Sequence, residues 1–246
     1  MSPTFESWLL IPLTVSVLTG FLCPAVGTVL ITHKRLLQVN LISHSVLPGL
    51  ACALAIGIDP AIGGIFSGLM GALVAERLAN KRKENFEAII NTVLSGSLGF
   101  GVLIIPLLGI RIDIEAILFG DLLTANYLDL TRTLFAFIIF SLLLVSNYQK
   151  LVHIGLDPEG AAANGIKVST LRLMFGLTTA LVIVSAMAAV GVILVIGLLS
   201  APTLLGLIEA PSLKIAMIRS SIFGVLISLV SFFLSITFNL SPGPLV

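Results

Sequence analysis

Apolar residues in this chain collect into long runs instead of alternating with polar residues. Eight runs have 18 to 25 residues each, and a helix needs about 20 apolar residues to cross a hydrocarbon core about 30 Å thick. The pattern therefore predicts an all-α transmembrane bundle of about eight spans. Only Gly191 separates the sixth run from the seventh, so a broken or half-crossing segment remains an alternative there. The predicted spans are residues 8–32, 36–58, 61–78, 86–110, 128–148, 169–190, 192–209 and 215–238.

The composition excludes an ordinary soluble domain. Hydrophobic residues make up 57% of the chain and charged residues 10%, whereas soluble domains carry about 25% charged residues. The net charge of +1 gives no indication of a nucleic-acid partner. No Lys or Arg precedes the first apolar run, so the basic region of a cleavable signal is missing and this run is expected to stay as a span.

Basic residues predict the orientation, because cytoplasmic loops of membrane proteins carry an excess of Lys and Arg. With the N-terminus outside, eleven of the 13 basic residues lie inside, and only Arg111 and Arg132 lie outside. We therefore expect both chain ends outside. The inner basic residues are Lys34, Arg35, Arg77, Lys81, Arg82, Lys83, Lys150, Lys167, Arg172, Lys214 and Arg219.

Two loops are predicted to carry short helices. In the outer loop, apolar residues at helical spacing predict a surface helix over about 112–123. In the inner loop, Asp157 suits a helix N-cap and Pro158 the first helical position, while Glu159 suits the positive helix end. Gly165 can close this helix in a left-handed conformation. Ordinary loops also contain capped turns, so the spacing alone leaves the role of this segment open.

Polar groups inside a predicted span are candidates for function, because lipid solvates them poorly. Asn40 and His44 are four residues apart and share one helix face. His44 lies about 15 Å along the helix from Lys34, near the membrane midplane if Lys34 marks the inner interface. Pro48 and Gly49 follow one turn later and can bend the helix. Neutral imidazole is a common metal ligand, but a histidine bonded to a neighbouring helix fits this position equally well.

Motifs for membrane-embedded catalysis and for nucleotide hydrolysis are absent from the sequence. There is no HExxH zinc motif, no GxSxG nucleophile turn and no GxxxxGK[ST] phosphate loop. A transport function would therefore need a gradient or a separate ATPase as its energy source.

Four stretches resemble one family in its own order along the chain. Residues 43–49 (SHSVLPG) resemble the SHAVLPG signature of the manganese, zinc and iron permeases of ATP-binding-cassette importers. Residues 117–124 (ILFGDLLT) look like the outer-loop segment of that family. Residues 155–166 (GLDPEGAAANGI) are similar to its cytoplasmic FDPEYARALGI-type stretch, and residues 190–202 (VGVILVIGLLSAP) to its VGxLLVxALLxxP segment.

The resemblance implies a single transmembrane permease domain over residues 1–246, with the type II architecture of vitamin-B12 importers, in the bacterial plasma membrane. It implies a non-enzymatic subunit that carries manganese or zinc inward and holds no permanent cofactor. Its partners would be a second permease copy, cytoplasmic ATP-binding subunits and an extracytoplasmic metal-binding protein. The family usually has one more apolar segment after the position of Ser241, so this chain is expected to be short of a final span.

The resemblance also implies roles for individual residues. His44 matches the pathway histidine of the family, and Asn40 stands where the family usually has Asp. That departure leaves open an altered metal preference, a carboxylate from another segment, or a site that the ion passes without being held. Glu115 and Asp121 are candidates for the outer entry. The residues of the coupling segment, about 157–165, are Asp157, Pro158, Glu159, Ala162 and Gly165.

Three alternatives remain. A permease for an iron complex would belong to a neighbouring group of importers, and a membrane enzyme would need the missing catalytic motifs. A gradient-driven metal carrier would need acidic residues within its spans. The acidic residues are expected at or near span ends, at Asp59, Glu76, Glu84, Glu87, Asp129 and Glu209.

Overall fold

The structure, a computed structural model, describes residues 9–81, 86–109 and 124–238. These residues form helices joined by short connections, and no strand occurs among them. The helices are α1 (Leu10–Thr32), α2 (Leu37–Ile56), α3 (Pro60–Lys81), α4 (Phe86–Leu107), α5 (Tyr127–Leu156), α6 (Pro158–Ala163), α7 (Val168–Val190), α8 (Val192–Leu207) and α9 (Leu213–Phe238). The outer-loop helix predicted over 112–123 lies outside the described residues.

The predicted transmembrane bundle is confirmed. Seven helices within the described ranges are long and apolar enough to cross a membrane, and α8 is a shorter apolar helix. With 16 residues, α8 extends over about 24 Å, less than the thickness of a hydrocarbon core. It is one of the two segments for which the sequence left a half-crossing open. Gly191, which separates α7 from α8, has a φ of 84°, a value that favours glycine.

α5 is longer than predicted. The sequence placed the end of this span at residue 148, but the helix continues to Leu156. Asn147 departs from helical geometry, with φ −127° and ψ 15°, and its Nδ2 donates to the carbonyl of Leu143 over 3.3 Å. Beyond this kink, Leu151 and Ile154 are buried. Their packing holds the last turns in helical form although polar residues interrupt the apolar run.

Contacts within the chain define two compact units, each built from separate parts of the sequence. The first unit contains the described residues of Met1–Leu30, Asp113–Ile138 and Ser185–Val246. The second contains those of Ile31–Ile112 and Ile139–Val184.

In the first unit, hydroxyl groups and glycines bring α1, α8 and α9 together. Ser16 Oγ lies 2.7 Å from Ser228 Oγ, and Thr203 Oγ1 donates to the carbonyl of Pro24 over 3.2 Å. A Cβ on Gly27 would collide with the carbonyl of Leu199. Lipid removes the hydrophobic driving force between helices, so close approach and hydrogen bonds must hold this unit together. We call this set of α1–α8–α9 contacts the hydroxyl seam.

In the second unit, α2 packs closely against α3 and α4. A Cβ on Gly49 of α2 would collide with the carbonyl oxygen of Gly63 on α3. Ser45 Oγ donates to Ser97 Oγ of α4 over 3.2 Å. α2 continues as one helix through Pro48 and Gly49, so the predicted kink there stays a prediction. What the structure shows at Gly49 is a close contact between helix backbones.

The close approach at Gly49 predicts a stability difference between two identical changes. Gly49→Ala should destabilise the protein by about 1–3 kcal/mol, because the added methyl overpacks against backbone that can move only with its helix. Gly96→Ala on α4 is the matched control, since a Cβ at Gly96 meets open space. Thermal unfolding of both variants in the same detergent measures the difference. Equal melting temperatures would show that α3 can withdraw at little cost.

Candidate functional site

The two sides of α2 have different surroundings. Gln38, Ile42 and Ser45 are buried in the second unit, whereas Asn40 is exposed and His44 is half-buried. Asn40 and His44 therefore lie on one face, as the four-residue spacing predicts. This face is accessible to an ion or to another chain. We call it the α2 pathway face, after the role predicted for His44.

The α2 pathway face provides few ligands by itself. Within the described ranges, no group of three or more His, Cys, Asp or Glu side chains is placed to hold a metal ion. A divalent transition metal is usually bound by four or more ligands. One imidazole and one amide are therefore an incomplete set. The proposed entry residues Glu115 and Asp121 lie outside the described residues.

Glu76 lies near the end of its span, as predicted, five residues before α3 ends at Lys81, but its side chain is buried within the second unit at 1% exposure. It forms an ion pair with Arg35, which precedes α2, and accepts a hydrogen bond from Gln38 Nε2 at 3.2 Å. The Arg35 guanidinium carbon also lies 4.3 Å from the centre of the Phe86 ring. The guanidinium compensates the carboxylate, which explains how Glu76 can lie deep inside.

The buried carboxylate of Glu76 also narrows the alternatives for Asn40. Gln38 contacts Glu76, and residues 38 and 40 of a helix point about 200° apart. Glu76 therefore lies on the opposite side of α2 from the pathway face. It does not provide the negative charge that Asn40 lacks.

Sequence reasoning missed the Arg35–Glu76 pair because its members are 41 residues apart. One signal was available. Ala72, Leu73 and Ala79 lie three or four residues from Glu76, so the sequence places this carboxylate on an apolar helix face. A carboxylate on such a helix face needs a buried partner, although the sequence does not identify which basic residue provides it.

The inner loop contains the predicted short helix. Asp157 has extended backbone geometry, with φ −144° and ψ 94°, and its carboxylate accepts from the amides of Glu159 and Gly160 at 3.1 and 2.9 Å. Pro158 occupies the first turn, and Gly165 follows the helix with a φ of 79°. Both ends of α6 are thus capped locally.

α6 has one buried residue and an exposed outer surface. Ala161 is fully buried, whereas Asp157, Glu159 and Ala162 are exposed. A self-capped helix fixed by a single buried alanine is a suitable contact for a partner. Its coupling role remains a prediction.

The seven long apolar helices of the described residues define the chain as a polytopic membrane protein. The model of the ABC 3 transport family matches residues 7–246. The chain belongs to this family, and the resemblance seen in the sequence is confirmed.

The most informative relatives are bacterial. The chain is 28% identical over 238 residues to the manganese transport system membrane protein MntC of Halalkalibacterium halodurans, covering 96% of this chain and 82% of the relative. It is 29% identical to the manganese import system permease protein ScaB of Streptococcus gordonii, covering 94% and 83%. Among solved structures, PsaBC from Streptococcus pneumoniae in complex with Fab matches with a TM-score of 0.80 and 30% identity, covering 97% of this chain and 86% of that chain.

Proposed function

We propose that this protein is the membrane-spanning subunit of an ATP-binding-cassette importer that moves Mn²⁺ into the bacterial cytoplasm, with Zn²⁺ as the second candidate. The family match over residues 7–246 carries this proposal. The relatives named for manganese support the choice of metal, since each covers more than nine-tenths of this chain. The ion is the substrate and not a resident cofactor.

A second copy of the chain is the proposed partner in the membrane. Two exposed pathway faces that meet across a twofold axis would contribute two imidazoles and two amides to one passage. That number satisfies the usual count for a divalent ion, which a single face does not. The incomplete ligand set of the described residues supports this arrangement.

The energy comes from separate cytoplasmic subunits, and the permease itself is proposed to catalyse no reaction. The sequence contains no phosphate loop, so hydrolysis of ATP needs another chain. An extracytoplasmic binding protein would deliver the ion. On the proposed orientation, α6 faces the ATP-binding subunits.

Uptake of radiolabelled Mn²⁺ by proteoliposomes tests the proposal. The permease is reconstituted with its ATP-binding subunit and binding protein, with and without ATP. We expect uptake that requires ATP, is competed by Zn²⁺ and is indifferent to chelated iron. Uptake without the ATPase would instead support a gradient-driven carrier, and competition by chelated iron alone would support an iron-complex permease.

Changing Asn40 to aspartate should lower the KM for Mn²⁺ about tenfold, equivalent to about 1.4 kcal/mol of binding. The added carboxylate would place a negative charge beside the cation, next to the His44 imidazole. Initial uptake rates over a range of Mn²⁺ concentrations measure the effect. Asn40→Ser is the matched control, because it is polar but adds no charge. An unchanged KM in Asn40→Asp would mean that this side chain does not face the transported ion.

A further inference from the structure

The two carboxylate oxygens of Glu76 have different surroundings. Oε1 receives both the guanidinium of Arg35 and the amide of Gln38. Oε2 is buried and has no hydrogen-bond partner among the described residues. Oε2 is therefore a vacant acceptor in the interior of the second unit. Leaving a buried carboxylate oxygen without a donor costs free energy, so a donor that reached it would be bound favourably.

Arg172 of α7 is the complementary group. Its Nε is buried and finds no acceptor in the described part of the chain. The charges of Glu76 and Arg35 both act on its guanidinium. Gly176, one turn further along α7, packs against Glu76 and its hydrogen-bond partner Gln38: a Cβ there would lie 2.9 Å from Gln38 Nε2 and 3.5 Å from Glu76 Cγ. α7 therefore presents an arginine beside the carboxylate that Arg35 occupies.

The charges of this cluster do not balance. Burial, together with the positive charges of Arg35 and Arg172, lowers the pKa of His33 to about 4 although a hydrogen bond with the Leu151 backbone raises it, so His33 is neutral at physiological pH. Two guanidinium groups thus lie near one carboxylate, and Arg35 is the one in contact with it. Because a single carboxylate charge cannot compensate both groups, closer approach of Arg172 weakens the pairing with Arg35.

We propose that Glu76 is a positioning residue that exchanges its partners during transport: Arg35 holds it in the present state, and Arg172 docks on Oε2 when α7 shifts. This inference rests on the proposed function, because an ATP-binding subunit that pushes on α6 supplies the shift. Only four residues separate the end of α6 from the start of α7. Movement of α6 therefore reaches Arg172 directly.

The exchange connects the cytoplasmic contact to the α2 pathway face. Arg35 and Gln38 lie at the start of α2, and His44 lies six residues beyond Gln38, or about 9 Å along the axis. When Glu76 pairs with Arg172, the interactions of Glu76 with Arg35 and Gln38 at the start of α2 weaken. α2 is then free to rotate or slide against α3, which changes the position of His44.

The ratio of Mn²⁺ imported to ATP hydrolysed tests this proposal in the assembled complex. Glu76→Gln and Arg172→Gln should each lower the ratio at least fivefold, the lower end of typical coupling effects, while ATP hydrolysis continues. The double variant should be no worse than either single variant, because both changes remove the same pair. Arg77→Gln is the control, since Arg77 is the exposed neighbour of Glu76 on α3. A wild-type ratio in Arg172→Gln, or additive losses in the double variant, would overturn the exchange.

A distance measurement covers the case in which a variant fails to assemble. Spin labels on exposed Ser169 and Arg77 report the separation of α7 and α3 in a chain whose native cysteines, Cys23 and Cys52, are replaced by alanine. Addition of ATP to the complex should change this separation by about 1–2 Å. An identical distance in all nucleotide states would refute the shift of α7. Absence of Mn²⁺ uptake by the unlabelled wild type would instead refute the proposed function, and the distance would still test the shift.

Discussion

Replacing His44 with alanine is expected to reduce ATP-driven Mn²⁺ uptake at least about tenfold, the loss that follows when even an outer-sphere partner of a bound metal is removed. His44 is the only imidazole on the α2 pathway face, and it is half-buried there. Alanine removes the nitrogen ligand and preserves the helix. Initial uptake rates in proteoliposomes measure the loss, and ATP hydrolysis with intact assembly shows that the complex has formed.

His153→Ala is the matched control for that change. His153 is exposed near the end of α5, distant in sequence from α2, and its loss should leave uptake within the error of the wild type. If His44→Ala transports Mn²⁺ at the wild-type rate, His44 has a structural role and the ion uses other ligands. If both variants lose uptake equally, the assay reports a general sensitivity to histidine loss.

Ala162→Pro is expected to abolish uptake while the permease still inserts and ATP is still hydrolysed. Proline inside the six-residue α6 removes a backbone donor and clashes with the carbonyl four residues earlier, at a cost of about 3 kcal/mol. A helix held by one buried alanine and local caps cannot recover that cost. The readouts are membrane insertion, ATP hydrolysis and Mn²⁺ uptake in the same preparation.

Ala162→Gln separates helix disruption from a change of surface. Glutamine is a good helix former, and Ala162 is exposed, so this variant should keep both α6 and uptake. Retained uptake in Ala162→Pro would exclude α6 as the element that transmits movement from the ATPase. Loss in Ala162→Gln as well would mean that the small side chain itself is required at the contact.

Features that depend on neighbours in the sequence were predictable here. The starts and ends of most spans agree with the apolar runs within a few residues, because about 20 apolar residues can only be accommodated as a membrane helix. The caps of α6 were predictable for a similar reason. The carboxylate of Asp157 needs only the amides two and three residues ahead of it.

Features that depend on distant residues were not predictable. The sequence predicted that Gly49, beside Pro48, would allow the helix to bend. In the structure Gly49 allows α2 to approach the carbonyl of Gly63 on α3. From the sequence, Glu76 is expected to be a charge near the membrane interface. The structure shows that it is buried and paired with Arg35. Helix packing determines these partners, and a single sequence does not show which helices pack together.

In the candidate site, too, the local feature was predictable from the sequence and the feature that depends on helix packing was not. Periodicity alone placed Asn40 and His44 on one face of α2. It did not show that this face is accessible while the other contacts Glu76 through Gln38. Accessibility is a property of the packed helices, so the sequence offered several explanations of Asn40. One of them is a carboxylate from another segment, and the structure excludes Glu76 as that carboxylate.

Extraction from the membrane will not affect all helices equally. Detergent tails, like lipid chains, offer only dispersion contacts, so they cannot compete for the hydrogen bonds of the hydroxyl seam. In α4, by contrast, only 11% of the apolar segment is buried within the chain. Solubilised preparations should therefore lose order first at α4, and a short-chain detergent that disturbs α4 should leave α1 and α9 joined.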